Sequence, residues 1–267
     1  MSLVYLYCLL PVEDAPDTRD LAGLEDRPVR LVKVGSLQAA ISEVGTEFGE
    51  RQLNDRIRDL DWLSPRAVRH HEVVDTLFGR CSSALPLSFG AIFRSEDRLR
   101  GRLEGEMESL RARLERLRGR GEWDLKVTRD EEVFRRGLRI ESAELGALQS
   151  QLEGLPPGRA FMLNKKIQLM ETREGQRLSA QIRDEVHATL SELAEESRRD
   201  QLAAQRDNSG MRLEFRGGYL IEEAGGDGLK LAVGKLSARY ASLGYAFDLT
   251  GPWPAFGFAG GLSEALA

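Results

Sequence analysis

Apolar residues dominate the first eleven positions of the chain, MSLVYLYCLLP, and the run ends at Pro11. Leu3, Tyr5 and Tyr7 alternate with the residues between them, and so short an alternating stretch predicts a buried β-strand. The segment has no basic region before the apolar run and no small-residue cleavage site after it, so it does not resemble a signal peptide. We expect the first strand of a mixed fold here.

A polar loop separates this strand from a second apolar cluster in the sequence RPVRLVKVGSL. Val29, Leu31 and Val34 lie among charged residues in a strand-like pattern, which predicts a second strand. The following segment predicts a short helix through Ile41 and Val44.

Helical spacing of apolar residues returns after position 50. It predicts one helix over 50–63 and a second that begins at Ser64 and Pro65, a cap followed by a first-turn proline. The sequence CSSALPLSFGAIF then predicts short apolar strands that are interrupted at Pro86 and Gly90.

From Ser95 to Gly119, leucine and methionine recur at intervals of three and four residues with charged residues almost everywhere else. This pattern is typical of a long amphipathic helix. Glycines at 119 and 121 end it. We therefore predict an N-terminal α+β domain over 1–119 and a C-terminal domain over 120–267.

The C-terminal half opens with a strand in which Trp123, Leu125 and Val127 alternate with polar residues. Two helical stretches follow, over 131–153 and 159–200. The sequence GLPPG between them cannot continue a helix, so the two stretches are predicted to fold back as a helical hairpin.

Strand-like patterns return over 211–221 and 229–233, with a GGDG turn between them. A short helix over 236–243 leads to a last strand over 245–249. The resulting order β–α–β–β–α–β is that of a ferredoxin-like sheet with helices on one face. The predicted fold class is α+β with two domains: the second is ferredoxin-like with a long helical hairpin, and the first is a looser α+β sheet domain.

The composition supports a folded protein and argues against several classes of partner. Hydrophobic residues make up 41% of the chain and charged residues 30%, which indicates long solvated helices rather than disorder. The net charge of −5 gives no support for nucleic acid or a membrane surface as partner. Cys8 and Cys81 are too few for a disulfide framework, and no apolar run approaches the ~20 residues of a membrane span. We expect a soluble protein of the reducing cytoplasm.

The residue patterns predict no catalytic site, no cofactor and no metal. His70 and His71 are adjacent, and neighbours on a helix point about 100° apart, so they are poorly placed to share one metal. We expect one of them in a core or interface and the other in water; a hydrolase that uses His71 is a minor hypothesis, because no nucleophile accompanies it. The glycines of RGGY and AGGDG match no phosphate-binding fingerprint and are interpreted as hairpin and close-packing glycines.

The leucine stripes over 99–117 and 178–193 allow two interpretations. They pack on their own sheet, or, because such long helices exceed what a small sheet covers, part of each stripe meets a partner or a second copy of the chain. We favour core contact near the sheet and an exposed hairpin beyond it. Nine arginines within 94–120 are accompanied by six acidic residues, which indicates a solvated helix face rather than a nucleic-acid patch.

Five segments, taken in order, resemble the gas vesicle protein family GvpL/GvpF over nearly the full length of the chain. They are LDWLSPRAVRHHEVV, ALPLSFGAIF, a leucine-rich helix ending in GRGEWDLKV, FRGGYLIEE and LTGPWPAFGF. The family pattern P-L-R-F-G-T is PLSFGA at 86–91 here, so no role of its Arg or Thr carries over. At the tail the family has roughly G-P-W-P-P-Y-S-F, of which this chain keeps residues 251–254 and Phe258.

The resemblance implies a two-domain α+β protein that is a minor structural component or assembly factor of gas vesicles and not an enzyme. The implied partners are the small hydrophobic shell protein or other gas vesicle accessory proteins, and the implied location is the gas vesicle, in the cytoplasm. The alternative hypothesis is a ligand-binding regulatory protein, because ferredoxin-like sheets often bind small effectors and fold does not determine function.

The tail segment LTGPWPAFGF carries our protein-interaction hypothesis. Pro252 and Pro254 end the hydrogen bonding of the last strand, and Trp253, Phe256 and Phe258 follow on a stiff extended segment. Aromatic rings of this kind are frequent anchors of protein interfaces. The alternative is that the rings pack within the protein itself. We expect internal packing more for Trp253 than for the two phenylalanines.

Overall fold

The computed structural model describes residues 2–201 and 211–260 of the 267-residue chain. These residues form two compact units. The first contains the residues up to Glu122 together with those from Pro252 onward, and the second contains Trp123–Gly251. The boundaries expected from the sequence, 1–119 and 120–267, differ from this division at the C-terminus, because the tail packs with the first unit.

An antiparallel sheet with the apolar N-terminus at its centre organises the first unit. Its strands are β1 (Leu3–Pro11), β2 (Arg30–Val34), β3 (Leu37–Val44), β4 (Leu85–Pro86) and β5 (Ile92–Phe93). The strand order is β2-β3-β1-β4, and β5 also pairs with β1. Strand β1 is buried from Val4 to Pro11, so both of its faces are covered.

The segment through Ile41 and Val44 belongs to strand β3 and not to the predicted short helix. Strands β2 and β3 pair from Val34 and Leu37 outward, around a two-residue turn at Gly35 and Ser36. Gly35 has a φ of +57°, which glycine adopts without the strain a Cβ would cause. Pairing on both sides of β3 overrides the helical preference of the LQAAISE sequence.

Four helices of the first unit are α1 (Glu50–Arg56), α2 (Leu60–Phe78), α3 (Glu96–Gly105) and α4 (Met107–Arg116). Helix α2 starts before the predicted Ser64, because the Asp59 carboxylate accepts hydrogen bonds from the N–H groups of Asp61 and Trp62. The long helix predicted over 95–119 is two helices that meet at Glu106. Leucines of α3 and α4 are buried, as their spacing predicted: Leu99, Leu103, Leu110 and Leu114.

The second unit is a four-stranded sheet with helices between its strands. Its elements are β6 (Arg120–Arg129), α5 (Glu131–Glu141), α6 (Ala143–Ser150), α7 (Pro157–Ser191), β7 (Glu196–Arg199), β8 (Arg212–Glu222), α8 (Gly226–Tyr240) and β9 (Tyr245–Trp253). The sheet order is β7-β8-β6-β9, with β7 antiparallel to β8. In chain order this is β–α–β–β–α–β with the first and third strands at the centre, which is the ferredoxin-like arrangement. The predicted α+β fold class is confirmed.

Three elements of this unit differ from their prediction. The helix predicted over 131–153 is two helices, α5 and α6, that meet at Ser142. Residues 229–233 belong to helix α8 and not to a strand, so the GGDG sequence opens a helix instead of forming a hairpin turn. A Cβ on Gly226 would lie 3.2 Å from the Trp123 ring, which explains the glycine at the first position of the helix. The second strand of the sheet in chain order is instead β7, which lies within the stretch 159–200 that the sequence predicts to be helical. Its alternating exposure and lack of large apolar residues mark a short edge strand.

Helix α7 packs in two different environments along its length. Its C-terminal half places Ile182, Val186 and Leu190 in the core beneath the sheet. Its N-terminal half packs on α5 and α6, where Ile167 joins a separate cluster with leucines of those helices: Leu138, Leu145 and Leu148. The helical hairpin therefore has a small core of its own beyond the sheet core.

We expect the substitution Gly121→Ala to disturb the packing of the C-terminal tail at Pro252. A Cβ on Gly121 would lie 2.6 Å from the Cβ of Pro252, so the tail has to move. Overpacking of this kind lowers the free energy of unfolding by about 1–3 kcal/mol, measurable by urea denaturation. The matched control is Gly101→Ala in helix α3, where no atom lies within 4 Å of the new methyl group. That change should stabilise the protein by about 0.5–1 kcal/mol; equal losses in both variants would contradict the packing described.

Candidate functional site

The C-terminal aromatic segment begins at the end of an edge strand. Strand β9 continues through Pro252 to Trp253 at the outer position of the second sheet, where a residue without an N–H is tolerated. After Pro254 the chain forms a 3-10 turn over Phe256–Phe258. The segment from Pro252 belongs to the first unit.

Hydrogen bonds attach this turn to the first unit. The Gly257 N–H donates to the buried Glu122 carboxylate over 2.7 Å. Arg116 on helix α4 donates to the carbonyl of Phe258, and Arg113 on the same helix donates to the carbonyl of Ala259 over 3.2 Å. These two arginines, which the sequence indicated as part of a solvated face, therefore hold the tail against its own unit.

The three aromatic rings of the segment have different environments. Phe258 is only 7% exposed and so belongs to the core of its unit. Phe256 is half-buried, with its ring centroid 4.6 Å from that of His71. Trp253 is 45% exposed. The sequence favoured the two phenylalanines as the exposed rings, and the structure has the reverse, because the 3-10 turn directs the chain back onto helix α4 after Pro254.

His70, the buried member of the histidine pair, has a partner for each ring nitrogen. Its Nε2 lies 2.9 Å from the carbonyl oxygen of Leu87, which can only accept, so Nε2 carries the proton. Its Nδ1 therefore accepts from the Tyr5 hydroxyl, also at 2.9 Å, and that hydroxyl accepts from the Gly90 N–H. Burial, with a smaller effect of the neighbouring His71, lowers the pKa of His70 to about 4. The neutral ring thus ties the 85–93 segment to β1 and α2.

The other two histidines lie apart from any group of metal ligands. His71 is exposed on α2 beside Phe256, and burial lowers its pKa. His187 on α7 is 3.3 Å from the Tyr219 hydroxyl. Within residues 2–201 and 211–260, no three His, Cys, Asp or Glu side chains are grouped so that they could hold a metal ion. The geometry of the described residues therefore adds no metal site to the His71 hypothesis.

An exposed apolar face on helix α7 was not found from the sequence. Phe161, Met162 and Leu169 are 60%, 67% and 72% exposed, and their spacing places them on one side of the helix, away from Ile167. We call these three side chains the α7 apolar face. The signal was present in the sequence, because these residues are out of phase with the buried stripe of the same helix.

The surroundings of the α7 apolar face are basic. Arg159, Lys165, Lys166 and Arg173 are all exposed on the same stretch of helix. The Lys165 ammonium lies 5.5 Å from the centroid of the Phe161 ring. Glu171, the acidic residue within 157–173, is buried and paired with Arg139. The face thus combines large apolar side chains with local positive charge in a chain whose net charge is −5.

The family comparison agrees with the resemblance found in the sequence. The family model described as "Gas vesicle synthesis protein GvpL/GvpF" matches residues 3–260. The chain belongs to the GvpL/GvpF family. It is 30% identical over 269 aligned positions to gas vesicle protein L of Streptomyces sp. (strain CB03234), covering 97% of this chain and 93% of that protein. It is 25% identical to gas vesicle protein L2 of Halobacterium salinarum, covering 96% and 90%.

Solved GvpF structures have the same fold as this GvpL/GvpF protein. The crystal structure of GvpF from Anabaena sp. PCC7120 has a TM-score of 0.70 at 18% identity, covering 97% of this chain and 98% of that one. GvpF from Microcystis aeruginosa has a TM-score of 0.63 at 16% identity, covering 97% and 99%. Family membership supports a role in gas vesicle assembly and association with gas vesicles in the cell. None of the helices the structure describes is both long and apolar enough to cross a membrane.

Alanine substitutions at Phe258 and Trp253 test which ring of the tail contributes to the stability of the folded protein. We expect Phe258→Ala to lower the free energy of unfolding by about 3 kcal/mol, because it empties a buried site. Trp253→Ala should change it by less than about 1 kcal/mol, because nearly half of that side chain is in water. Chemical denaturation of both variants measures the difference. A larger loss for Trp253→Ala than for Phe258→Ala would contradict the assignment of the two rings.

The buried His70 predicts a loss of stability in mild acid. Its pKa is about 4 in the folded protein against 6.5 for a free side chain, so the unfolded chain binds the proton more readily between those values. Its contribution to stability is complete above pH 6.5 and declines as the pH falls toward 4, by roughly 3 kcal/mol in total. Thermal unfolding measured from pH 7 to 4 should show a shallower decline for His70→Gln than for the unaltered protein. His71→Gln is the control, and an equally shallow decline there would contradict the assignment to His70.

Proposed function

We propose that this GvpL/GvpF protein supports gas vesicle assembly through protein–protein contacts with the shell protein or with other gas vesicle accessory proteins. Family membership supports the assembly role. The observation that carries the contact mechanism is the α7 apolar face, where three large apolar side chains are mostly in water. Exposed apolar surface of this kind is a feature of interaction sites, since it releases ordered water when a partner covers it.

The chemistry of the α7 apolar face specifies the partner surface that fits it. The apolar side chains lie on one side of a long helix, so they suit the apolar face of a partner helix or strand. The four exposed basic residues around them favour a partner with acidic groups beside its apolar surface. We expect the small hydrophobic shell protein, or an acidic accessory protein, to offer such a combination.

Trp253 is the second proposed contact. Pro252 and Pro254 restrict the backbone on both sides of it, so the ring is presented with little further loss of conformational entropy. Tryptophan in this setting is a frequent anchor of interfaces. Phe256 is half-buried against the His71 ring, and Phe258 contributes by holding the turn in place.

A variant with Phe161→Ser, Met162→Ser and Leu169→Ser tests the α7 contact. We expect it to keep its melting temperature, because the three side chains are exposed, and to lose binding to its gas vesicle partner by at least about tenfold. Co-purification with the shell protein and with each accessory protein, from cells that make vesicles, measures the binding. Trp253→Ser in a separate variant measures the second contact.

Leu231→Ser is the matched control, because Leu231 is a large apolar residue that is 61% exposed and belongs to helix α8, not to the α7 apolar face. Its partner binding should equal that of the unaltered protein. Undiminished co-purification of the triple variant, together with normal vesicle formation, would contradict the proposed contact surface.

A further inference from the structure

A cleft in the second unit lies between the helical hairpin and the sheet. It has a volume of about 580 Å³, within the range of small-molecule sites. Residues at the end of β6, on α5, on α7 and at the start of β8 line it. Unlike most ligand pockets its lining is mainly polar, and charged side chains from all of these elements converge there: Arg129, Glu131, Arg135, Glu171, Arg183 and Arg212.

Arg129 is the innermost of these groups, with a side chain that is only 5% exposed. Its guanidinium donates to the Ser179 hydroxyl and, over 2.7 Å, to the Glu131 carboxylate. The Phe134 ring stacks on the guanidinium group, with its centroid 3.8 Å from the guanidinium carbon. Its Nε is buried and has no hydrogen-bond partner among the described residues. A buried arginine that lines an open cleft therefore keeps one unused donor.

Glu214 supports the arginines from beneath the cleft. Its side chain is 2% exposed and forms ion pairs with Arg183 at 3.0 Å, Arg212 at 2.9 Å and Arg129 at 3.2 Å. One carboxylate thus holds three guanidinium groups from α7, β8 and β6 near one another. A single negative charge cannot neutralise three positive ones, so the group retains positive charge.

The remaining acidic groups do not remove this excess. Burial acts to raise the pKa of Glu131, but the hydrogen bond from Arg129 and the charges of Arg129, Arg212 and Arg135 outweigh it and lower that pKa. Glu171 is paired with Arg139. Arginines of the cluster therefore outnumber its glutamates by five to three; they are Arg129, Arg135, Arg139, Arg183 and Arg212 against Glu131, Glu171 and Glu214.

We propose that this cleft binds a small anion that carries a phosphate group, of about the size of a mononucleotide. A planar guanidinium group forms paired hydrogen bonds with two oxygens of a phosphate. A phosphate offers more than one such pair of oxygens and can therefore bind several arginines, whereas a carboxylate offers only one pair. Thr172, Gln168 and Gln176 line the cleft and can bond to the hydroxyl or base groups that accompany a phosphate. Gly175 lets the Phe134 ring pack close to helix α7 at the wall of the cleft, since a Cβ there would lie 3.1 Å from the ring.

This binding site is independent of the proposed protein contacts. Phe161, Met162 and Leu169 do not line the cleft. Anion binding is measured with the purified protein alone, so failure of this proposal and failure of the proposed function give different results. The triple serine variant of the α7 apolar face should bind the anion as the unaltered protein does.

The test uses inorganic phosphate, pyrophosphate and AMP as probes, in calorimetric titrations and melting curves of the full-length protein at matched ionic strength. We expect pyrophosphate or AMP to bind and to raise the melting temperature beyond the effect of sodium chloride. Arg135→Ala, at an exposed residue that lines the cleft, should weaken binding by roughly tenfold, the effect of losing one charge-assisted hydrogen bond. Thr172→Glu, which adds negative charge to the cleft, should abolish it.

Arg136→Ala is the matched control, because Arg136 is the next residue on the same helix, is exposed and does not line the cleft. Its affinity should stay within about twofold of the unaltered protein. The proposal is overturned if none of the three probes binds at millimolar concentration, if sodium chloride reproduces the change in melting temperature, or if Arg136→Ala weakens binding as much as Arg135→Ala.

Discussion

The length of helix α7 relative to the sheet beneath it governs the organisation of the second unit. The helix has 35 residues, which corresponds to about 52 Å at the ~1.5 Å rise of an α-helix. The longest strand of the sheet has 11 residues, or about 36 Å. The sheet cannot cover the whole helix, so the core beneath the sheet takes the C-terminal half and helices α5 and α6 take one side of the other half.

Both candidate sites of the second unit follow from this excess length. Where α7 packs on α5 and α6, its opposite side stays in water and bears Phe161, Met162 and Leu169. Where α7 passes from the hairpin to the sheet, the helices and strands diverge and leave the arginine-lined cleft. Two kinds of surface therefore lie along one helix, one apolar and suited to a protein, the other charged and suited to a small anion.

The aromatic tail packs largely on the first unit. Phe258 is buried, and Arg113 and Arg116 donate hydrogen bonds to the backbone carbonyls of Ala259 and Phe258. Trp253 ends strand β9 at the edge of its sheet and remains 45% exposed. The tail thus buries one ring in its own unit and leaves another accessible to a partner.

Hydrophobic spacing by itself determined the buried first strand, the amphipathic leucine helices and the proline-separated hairpin, because each of these is encoded by local periodicity. It did not determine which segments form the strands of the second sheet, since residues 229–233 are helical and the polar strand β7 has no apolar pattern. The five sequence segments, taken in order, indicated the GvpL/GvpF family. Only the tertiary structure decided that Ile41 lies in a strand, that Leu231 lies in a helix and that Phe258 is buried, because strand pairing and core packing join residues distant in the chain. The arginine cleft depended on the same long-range contacts, since Arg129, Arg183 and Arg212 meet around Glu214 only after β6, α7 and β8 have packed together.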